Sequence, residues 1–257
     1  MCELLGIDSR DKIYANDLLR EFFDHSSVHK DGWGLSVLDK NPPLYIKEHL
    51  RANSSNALED ILNKDILSSL LIAHIRRATI GDVDNRNAHP FVRKDITGRT
   101  WTLAHNGTIF EGDLLNRYYY IQNGTTDSER ILLYLIDQID SHIQYGSDLS
   151  DISIRAKLIE DIIVRLAPEN KLNLLITDGE YLYVHKNEVK TLYRKRTEGS
   201  YIFATVPLDD GNWEEVPDNR LLVYKDGNEI YEGKPHEFYY HHSDEKMKMI
   251  FMEYAPL

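Results

Sequence analysis

Cysteine is nearly absent: the 257-residue chain has one. That excludes an internal disulfide and any zinc cage built on cysteines. Cationic side chains are also scarce, 30 Lys and Arg against 42 Asp and Glu, for a formal net charge of −12. Nonspecific nucleic-acid binding and attraction to an anionic membrane both need basic surface, so neither partner is expected. No apolar run is long enough to span a bilayer, and the N-terminus has no basic-then-apolar leader pattern. The cytoplasm, where a lone thiol stays reduced, is the expected compartment. Flexible linkers, internal repeats and low-complexity stretches are missing too, so one domain over residues 1–257 is expected. What is present, 42% hydrophobic and 28% charged residues, is the composition of an ordinary globule with a proper core.

Cys2 to Ile7 reads as a short apolar strand. Asn16 or Asp17 caps a helix with Leu18, Leu19, Phe22 and Phe23 on one face. Asp31-Gly32-Trp33-Gly34 marks a backbone that turns tightly or admits a close approach, with Trp33 taken as packing. Strands follow at Leu35 to Leu38 and Leu44 to Ile46, then a helical pattern through Ala57, Leu58, Ile61 and Leu62. The continuous apolar run Leu70 to Ile75 predicts a strand covered on both faces. Trp101 to Ala104 predicts another, running into His105-Asn106-Gly107-Thr108, and Gly112 to Tyr120 a short helix. Thr125 to Glu129 carries helix-start chemistry, followed by the stripe Ile131, Leu132, Leu135, Ile136, Ile139, Ile143. A second helix spans about Asp151 to Leu166. Thereafter short strands are expected at Leu172–Thr177, Tyr181–His185, Val189–Tyr193, Tyr201–Thr205 and Leu221–Lys225. Strands, a helix pair and more strands suggest two packed sheets with helices outside.

The sole cysteine stands directly behind Met1. Cysteine is small, so an initiator methionine before it is commonly trimmed, leaving a thiol and an α-amine on one residue. An amine with a reference pKa of ~7.7–8.0 can take the proton of a thiol near ~8.5 without a histidine. Three other motifs lie where apolar segments stop. Singly, Arg76 reads as a strand-end charge, Asn106-Gly107 as a turn, and Asp127 as a helix cap. Jointly with Cys2 they make a kit for cleaving the side-chain amide of an amino acid. The Asn106 amide and the Gly107 N–H supply an oxyanion hole, Arg76 suits an α-carboxylate, and Asp127 suits an α-ammonium.

Cys2 behind Met1, Arg76-x-Ala78-Thr79, Asn87-Ala88-His89-Pro90, His105-Asn106-Gly107 and Thr126-Asp127-x-Glu129 occur in an order and at spacings that resemble the class II glutamine amidotransferases, which are N-terminal-nucleophile (Ntn) hydrolases. The start Met1 to Gly6, Asp31 to Gly34 and the length look most like the stand-alone small amidotransferases, which have no fused synthase domain. The resemblance implies an α+β fold, a four-layer αββα sandwich of two mainly antiparallel sheets. It also implies roles: Cys2 as nucleophile and base, Asn106 and Gly107 as oxyanion hole, Arg76 and Asp127 as grips on glutamine, and Thr79 as a lesser contact. No cofactor and no metal are implied. Two positions depart from the pattern: Arg77 stands where many members have Trp, and Ile80 where many have His. Arg77 reads as surface charge or as a contact to an anionic extension of the substrate.

The implied reaction is hydrolysis of the γ-amide of glutamine through a thioester on Cys2, with ammonia passed to a separate synthase subunit or to solvent. A γ-glutamyl amide or peptide hydrolase would use the same grip. A catalytically idle binding or regulatory domain is the alternative of another class, favoured if Met1 is retained. With 11 histidines in the chain, a Cys–His arrangement through His74, His89 or His105 also stays open on composition. His236, His241 and His242 cluster among tyrosines without a carboxylate set, so an exposed polar tail is expected there and not a metal site.

Overall fold

The computed structural model describes residues 2–246 and 248. The principal elements among the described residues follow in chain order. They begin with β1 (Glu3–Tyr14), α1 (Asn16–Asp24), β2 (Trp33–Val37), β3 (Leu44–Glu48), α2 (Asn56–Leu62) and β4 (Leu67–Ile75). Next come β5 (Phe91–Lys94), β6 (Thr100–Thr108), α3 (Asp127–Gln144), α4 (Ile152–Leu166), β7 (Lys171–Thr177) and β8 (Leu182–His185). After these come β9 (Tyr193–Thr197), β10 (Ser200–Ala204), β11 (Trp213–Glu215), β12 (Leu222–Lys225) and β13 (Asn228–Glu232).

A seven-stranded sheet has the order β11-β9-β10-β1-β4-β2-β3, and a six-stranded sheet the order β13-β12-β8-β7-β6-β5. The pairings are antiparallel, so successive residues of each strand face opposite layers. Leu4, Ile72 and Phe203 of the first sheet meet Ala104, Leu175 and Val184 of the second in the central layer. Their neighbours Leu5, Leu71 and Ala73 point outward beneath α1 and α2, with Leu19, Phe22 and Leu58. On the other side, Trp101, Leu174 and Ile176 pack with Ile131, Leu135, Ile159 and Ile163 of α3 and α4. The result is the expected four-layer αββα sandwich. Parity then decides the site: Cys2 precedes Leu4 by two, Arg76 follows Ile72 by four, and Asn106 follows Ala104 by two. All three therefore belong to the face between the sheets.

Several local expectations are corrected. Asn106 and Gly107 form no turn; they lie inside β6, opposite Asn173 and Leu172 of β7. The first strand starts at Glu3 and continues to Tyr14 through an irregularity between Asp8 and Ile13. Helix α1 has Ala15 at its N-cap, because the Asn16 side chain binds the Leu62 and Lys64 carbonyls and the Ile66 N–H instead. Residues 112–120 are turns with only a 3₁₀ stretch at Asn116–Tyr118. The strand expected at Val189–Tyr193 begins only at Tyr193, since Lys190 adopts a left-handed turn with φ of 59°. Strands β5, β11 and β13 carry too little periodicity to be read from sequence. The close approach signalled by Asp31 to Gly34 is real: a Cβ on Gly34 would sit 2.0 Å from the His89 carbonyl oxygen.

The C-terminal segment is docked and not simply an exposed polar tail, although His241 and His242 are exposed. Tyr240 is buried, donates its N–H to the Asn187 carbonyl at 2.8 Å, and stacks on Phe110. The half-buried His236 meets His185, with their Nε2 atoms 3.0 Å apart. No group of side chains able to hold a metal ion occurs among the described residues. No helix among them is long and apolar enough to cross a membrane. The rest of the expected tail, residue 247 and residues 249–257, lies outside the described residues.

Buried His185 donates from Nδ1 to the Leu172 carbonyl at 2.7 Å, so its Nε2 accepts from His236. Burial, aided by His236, pushes its pKa down to about 3. The ring is neutral in the folded chain and takes a proton near ~6.5 when unfolded, so its stabilising share is complete above that pH and is lost as pH falls toward about 3. Urea unfolding between pH 6.5 and 4.5 should show stability falling more steeply for the parent than for His185→Gln. The difference should approach one proton, up to ~1.4 kcal/mol per pH unit. Equal slopes would contradict it.

Candidate active site

Arg76 directly follows β4 as a buried guanidinium at 2% exposure. Its backbone is clasped by the preceding loop: Arg76 N–H donates to Gly32 O at 2.7 Å, and Arg76 O accepts from Asp31 N–H at 3.0 Å. The Asp31 carboxylate then takes the Ala78 N–H at 2.9 Å. The guanidinium donates to the carbonyls of Ile80, Gly81 and Asp82 at 3.0, 3.0 and 2.8 Å. Three of its five donors are therefore used on its own loop, leaving two for a ligand. Burial lowers the Arg76 pKa, opposed by the charges of Cys2, Asp31 and Asp127.

Held next to this loop is the Cys2 thiol, which donates to Arg77 O at 3.3 Å and accepts from Arg77 N–H at 3.4 Å. Its surroundings push the thiol up by desolvation, against the Arg77 N–H and the Arg76 charge. A neutral thiol is therefore favoured until a base removes the proton. Cys2, Arg77, Thr79, Asn106 and Gly107 line one narrow cleft, together with Lys171 and the docked Tyr240 and His242. Arg76 and Asp127 do not line it; they stand behind it, close enough for their charges to act on the thiol.

Asn106 is 1% exposed, and its Nδ2 has no hydrogen-bond acceptor among the described residues. An amide donor buried without a partner costs about 1–3 kcal/mol unless something arrives to accept it. Gly107 is fixed by crowding: a Cβ there would lie 2.0 Å from Lys171 O and 2.2 Å from His105 Nε2. Above it, His105 Nε2 donates to Lys171 O at 2.9 Å, so Nδ1 accepts from the Ser128 hydroxyl at 3.0 Å.

Asp127 opens α3. Thr126 caps the helix by accepting the Glu129 N–H at 3.2 Å, and Glu129 reaches back to the Asn123 and Gly124 N–H groups. Asp127 itself takes the N–H groups of Ile109 and Ser128, each at 2.8 Å, so its carboxylate is oriented and buried. Asn87 joins the two halves. Its Nδ2 donates to Asp82 O and Thr125 Oγ1, and its Oδ1 accepts from Thr125 N–H.

Neither His74 nor His89 lines the cleft with Cys2. Their ring centres lie 4.0 Å apart with the planes tilted by 33°, and burial holds both far below the usual histidine pKa. His105 has both nitrogens engaged. A Cys–His arrangement through these three is not assembled.

Asp31, Asn87 and Lys171 were not singled out as site residues from sequence. Asp31 opens the Gly-flanked motif that signalled a special backbone, and Asn87 belongs to one of the motifs that carry the family resemblance. Lys171, whose ammonium lies 2.5 Å from Glu188, starts a strand and reads as a solvated charge.

This layered architecture, with a cysteine leading the central strand of one sheet, is the Ntn-hydrolase arrangement. Glutamine phosphoribosylpyrophosphate amidotransferase of Bacillus subtilis superposes with a TM-score of 0.64 at 18% identity, over 89% of this chain and 48% of its own. A structure described as a "predicted glutamine amidotransferase" from Pseudomonas aeruginosa gives 0.61 at 20% identity, over 90% of this chain and 100% of its own. An uncharacterized protein of Methanocaldococcus jannaschii is 33% identical over 265 residues, 91% of this chain and 72% of its own. The sequence profile of the class II glutamine amidotransferases matches residues 1–198, and the chain belongs to that family. Beyond residue 198, β10 pairs with β1 and β12 with β8, so the remaining strands complete the same two sheets.

Gly107→Ala should lower the urea-unfolding stability by about 1–3 kcal/mol, because the β6–β7 pairing must spread to admit the methyl group. An unchanged midpoint would mean that the Lys171 carbonyl yields freely.

Proposed function

We propose that the chain, read as one glutaminase-type unit over residues 1–257, hydrolyses the γ-amide of glutamine with Cys2 as nucleophile. The observation that carries the reading is the buried, unpartnered Asn106 Nδ2 in the same cleft as the Cys2 sulfur. With Met1 removed, the α-amine of Cys2 takes the thiol proton through a water. Met1 lies outside the described residues, so its removal is part of the proposal. The thiolate attacks the γ-carbonyl, and the Asn106 amide and Gly107 N–H hold the developing oxyanion. As the tetrahedral adduct collapses, the amine returns its proton to the departing nitrogen and ammonia leaves. Water, deprotonated by the same amine, then cleaves the γ-glutamyl thioester, giving glutamate and the free thiol.

In this reading the two remaining Arg76 donors take the α-carboxylate of glutamine and Asp127 takes its α-ammonium. Thr79 contributes to the cleft wall, and the ammonia goes to a separate synthase subunit or to solvent. The charge of Arg76 offsets part of the desolvation that opposes thiolate formation.

Protein shown by intact mass to lack Met1 should release ammonia from glutamine, and Cys2→Ala should abolish this. Asn106→Ala should lower kcat by about 10²–10³, the cost of one oxyanion donor, without a fall in its urea midpoint. The glutamine-like electrophile 6-diazo-5-oxo-norleucine should label Cys2. A processed protein that neither releases ammonia nor takes the label would be a binding domain, and the proposal would fall.

A further inference from the structure

The two sheets end side by side at β3 and β5, and between these edge strands opens a cleft of about 400 Å³. It shares no lining residue with the Cys2 cleft. Its walls are apolar, including Ile46, Phe91 and Leu132, but three cations also face it: Lys47, Arg86 and Arg93. One carboxylate, Glu129, lines it as well.

The cations are not equivalent. Arg93 is paired with Glu129 at 2.8 Å and Arg86 with Asp84 at 2.9 Å. Lys47 has no carboxylate at ion-pair distance among the described residues. Its Nζ donates to the Ala88 carbonyl at 2.7 Å and lies 4.7 Å from the Phe91 ring centre. An ammonium has three donors, so the carbonyl leaves Lys47 with hydrogens to give. Glu129 and Asp84 attract it only from a distance, Arg93 repels it, and burial pushes its pKa down to about 8. A half-buried ammonium with no counter-ion, flanked by an aromatic face in a cleft open to solvent, lacks an anion.

We propose that this cleft is a second ligand site, taking a small molecule whose carboxylate or phosphate pairs with Lys47 and whose flat or apolar body lies along Phe91 and Ile46. Arg93 keeps a share of its fork free beside Glu129 and provides a second contact. The aromatic ring offers the body a packing surface and stabilises the ammonium by its face.

Lysine labelled with ¹³C at Cε reports on Lys47 directly, in protein whose Cys2 chemistry is irrelevant to the readout. Lys47→Met and Lys47→Arg assign the resonance. Its titration midpoint should move up by about one unit on saturation with phenyl phosphate or with benzoate, because a bound anion favours the charged amine. Benzyl alcohol, an aromatic ring that stays uncharged throughout the titration, should leave it in place. Whichever of the two anions acts at lower concentration distinguishes a phosphate from a carboxylate ligand. Followed by isothermal titration calorimetry, Lys47→Met, which keeps most of the stem over Phe91, should weaken anion binding at least about tenfold, whereas Lys47→Arg should retain it. A midpoint unmoved by both anions, an equal response to benzyl alcohol, or undiminished binding by Lys47→Met would overturn the proposal. None of these outcomes depends on whether the chain hydrolyses glutamine.

Discussion

The arrangement around Cys2 depends on one buried guanidinium. Arg76 sits at the end of a strand covered on both faces, where an unpaired charge would cost several kcal/mol. It is tolerated because Ile80, Gly81 and Asp82 turn three successive carbonyls toward it, and this fixes the course of the loop that follows. From there the order propagates by shared partners. Asp82 O also accepts from Asn87, Asn87 holds Thr125, and Thr125 adjoins the cap of α3, which presents Asp127. Arginine therefore acts twice, as the organiser of the loop and as a charge beside the thiol. Lysine, with a point charge in place of a planar fork, could not satisfy the same three carbonyls in one plane.

The sandwich supplies the second constraint. Cys2 and Arg76 come from antiparallel neighbours in one sheet, whose register runs Glu3 to Ile75 and Leu4 to His74. Asn106 comes from the opposite sheet, so the proposed nucleophile and the proposed oxyanion donor face one another across the central layer. Such an arrangement leaves little freedom. A shift of one residue in β6 would turn Asn106 toward α3 and put Gly107 in the cleft. The crowding of Gly107 beneath the His105–Lys171 contact opposes that slip, because only glycine fits there.

Where sequence was informative, the information was periodic. The unbroken run Leu70 to Ile75 and the stripe of α3 were legible because their burial follows strand and helix periods directly. Asn106-Gly107 was misleading as secondary structure for a physical reason. The pair is locally suited to a turn, and pairing with Asn173 and Leu172 overrides that preference. The residues that lean on Cys2 were legible only as an ordered set of motifs. The partners of Arg76 were not legible at all, since they are backbone carbonyls and carry no side-chain signature. Lys171 stayed hidden because a charge at a strand end ordinarily faces water, while here Glu188 accompanies it into the interior.

The polar inventory around the cleft also narrows which group can serve as base in the proposed reaction. The thiol is raised by desolvation, so a base of moderate strength must stand near it. His105 has neither nitrogen free, and His74 and His89 are held neutral well below the thiol's range. A base that weak cannot retain a thiol proton. Asp127 is oriented by Ile109 and Ser128 and is suited to holding a cation. His242 lines the cleft, but it belongs to the exposed end of the docked segment and engages Asp244 through Nε2 at 3.1 Å. An α-amine on Cys2 itself needs no such placement, because covalent geometry keeps it within a few bonds of the sulfur whatever the surrounding loops do. That economy explains how a site can do without a catalytic histidine, and it makes removal of Met1 as much a part of the proposed chemistry as the sulfur.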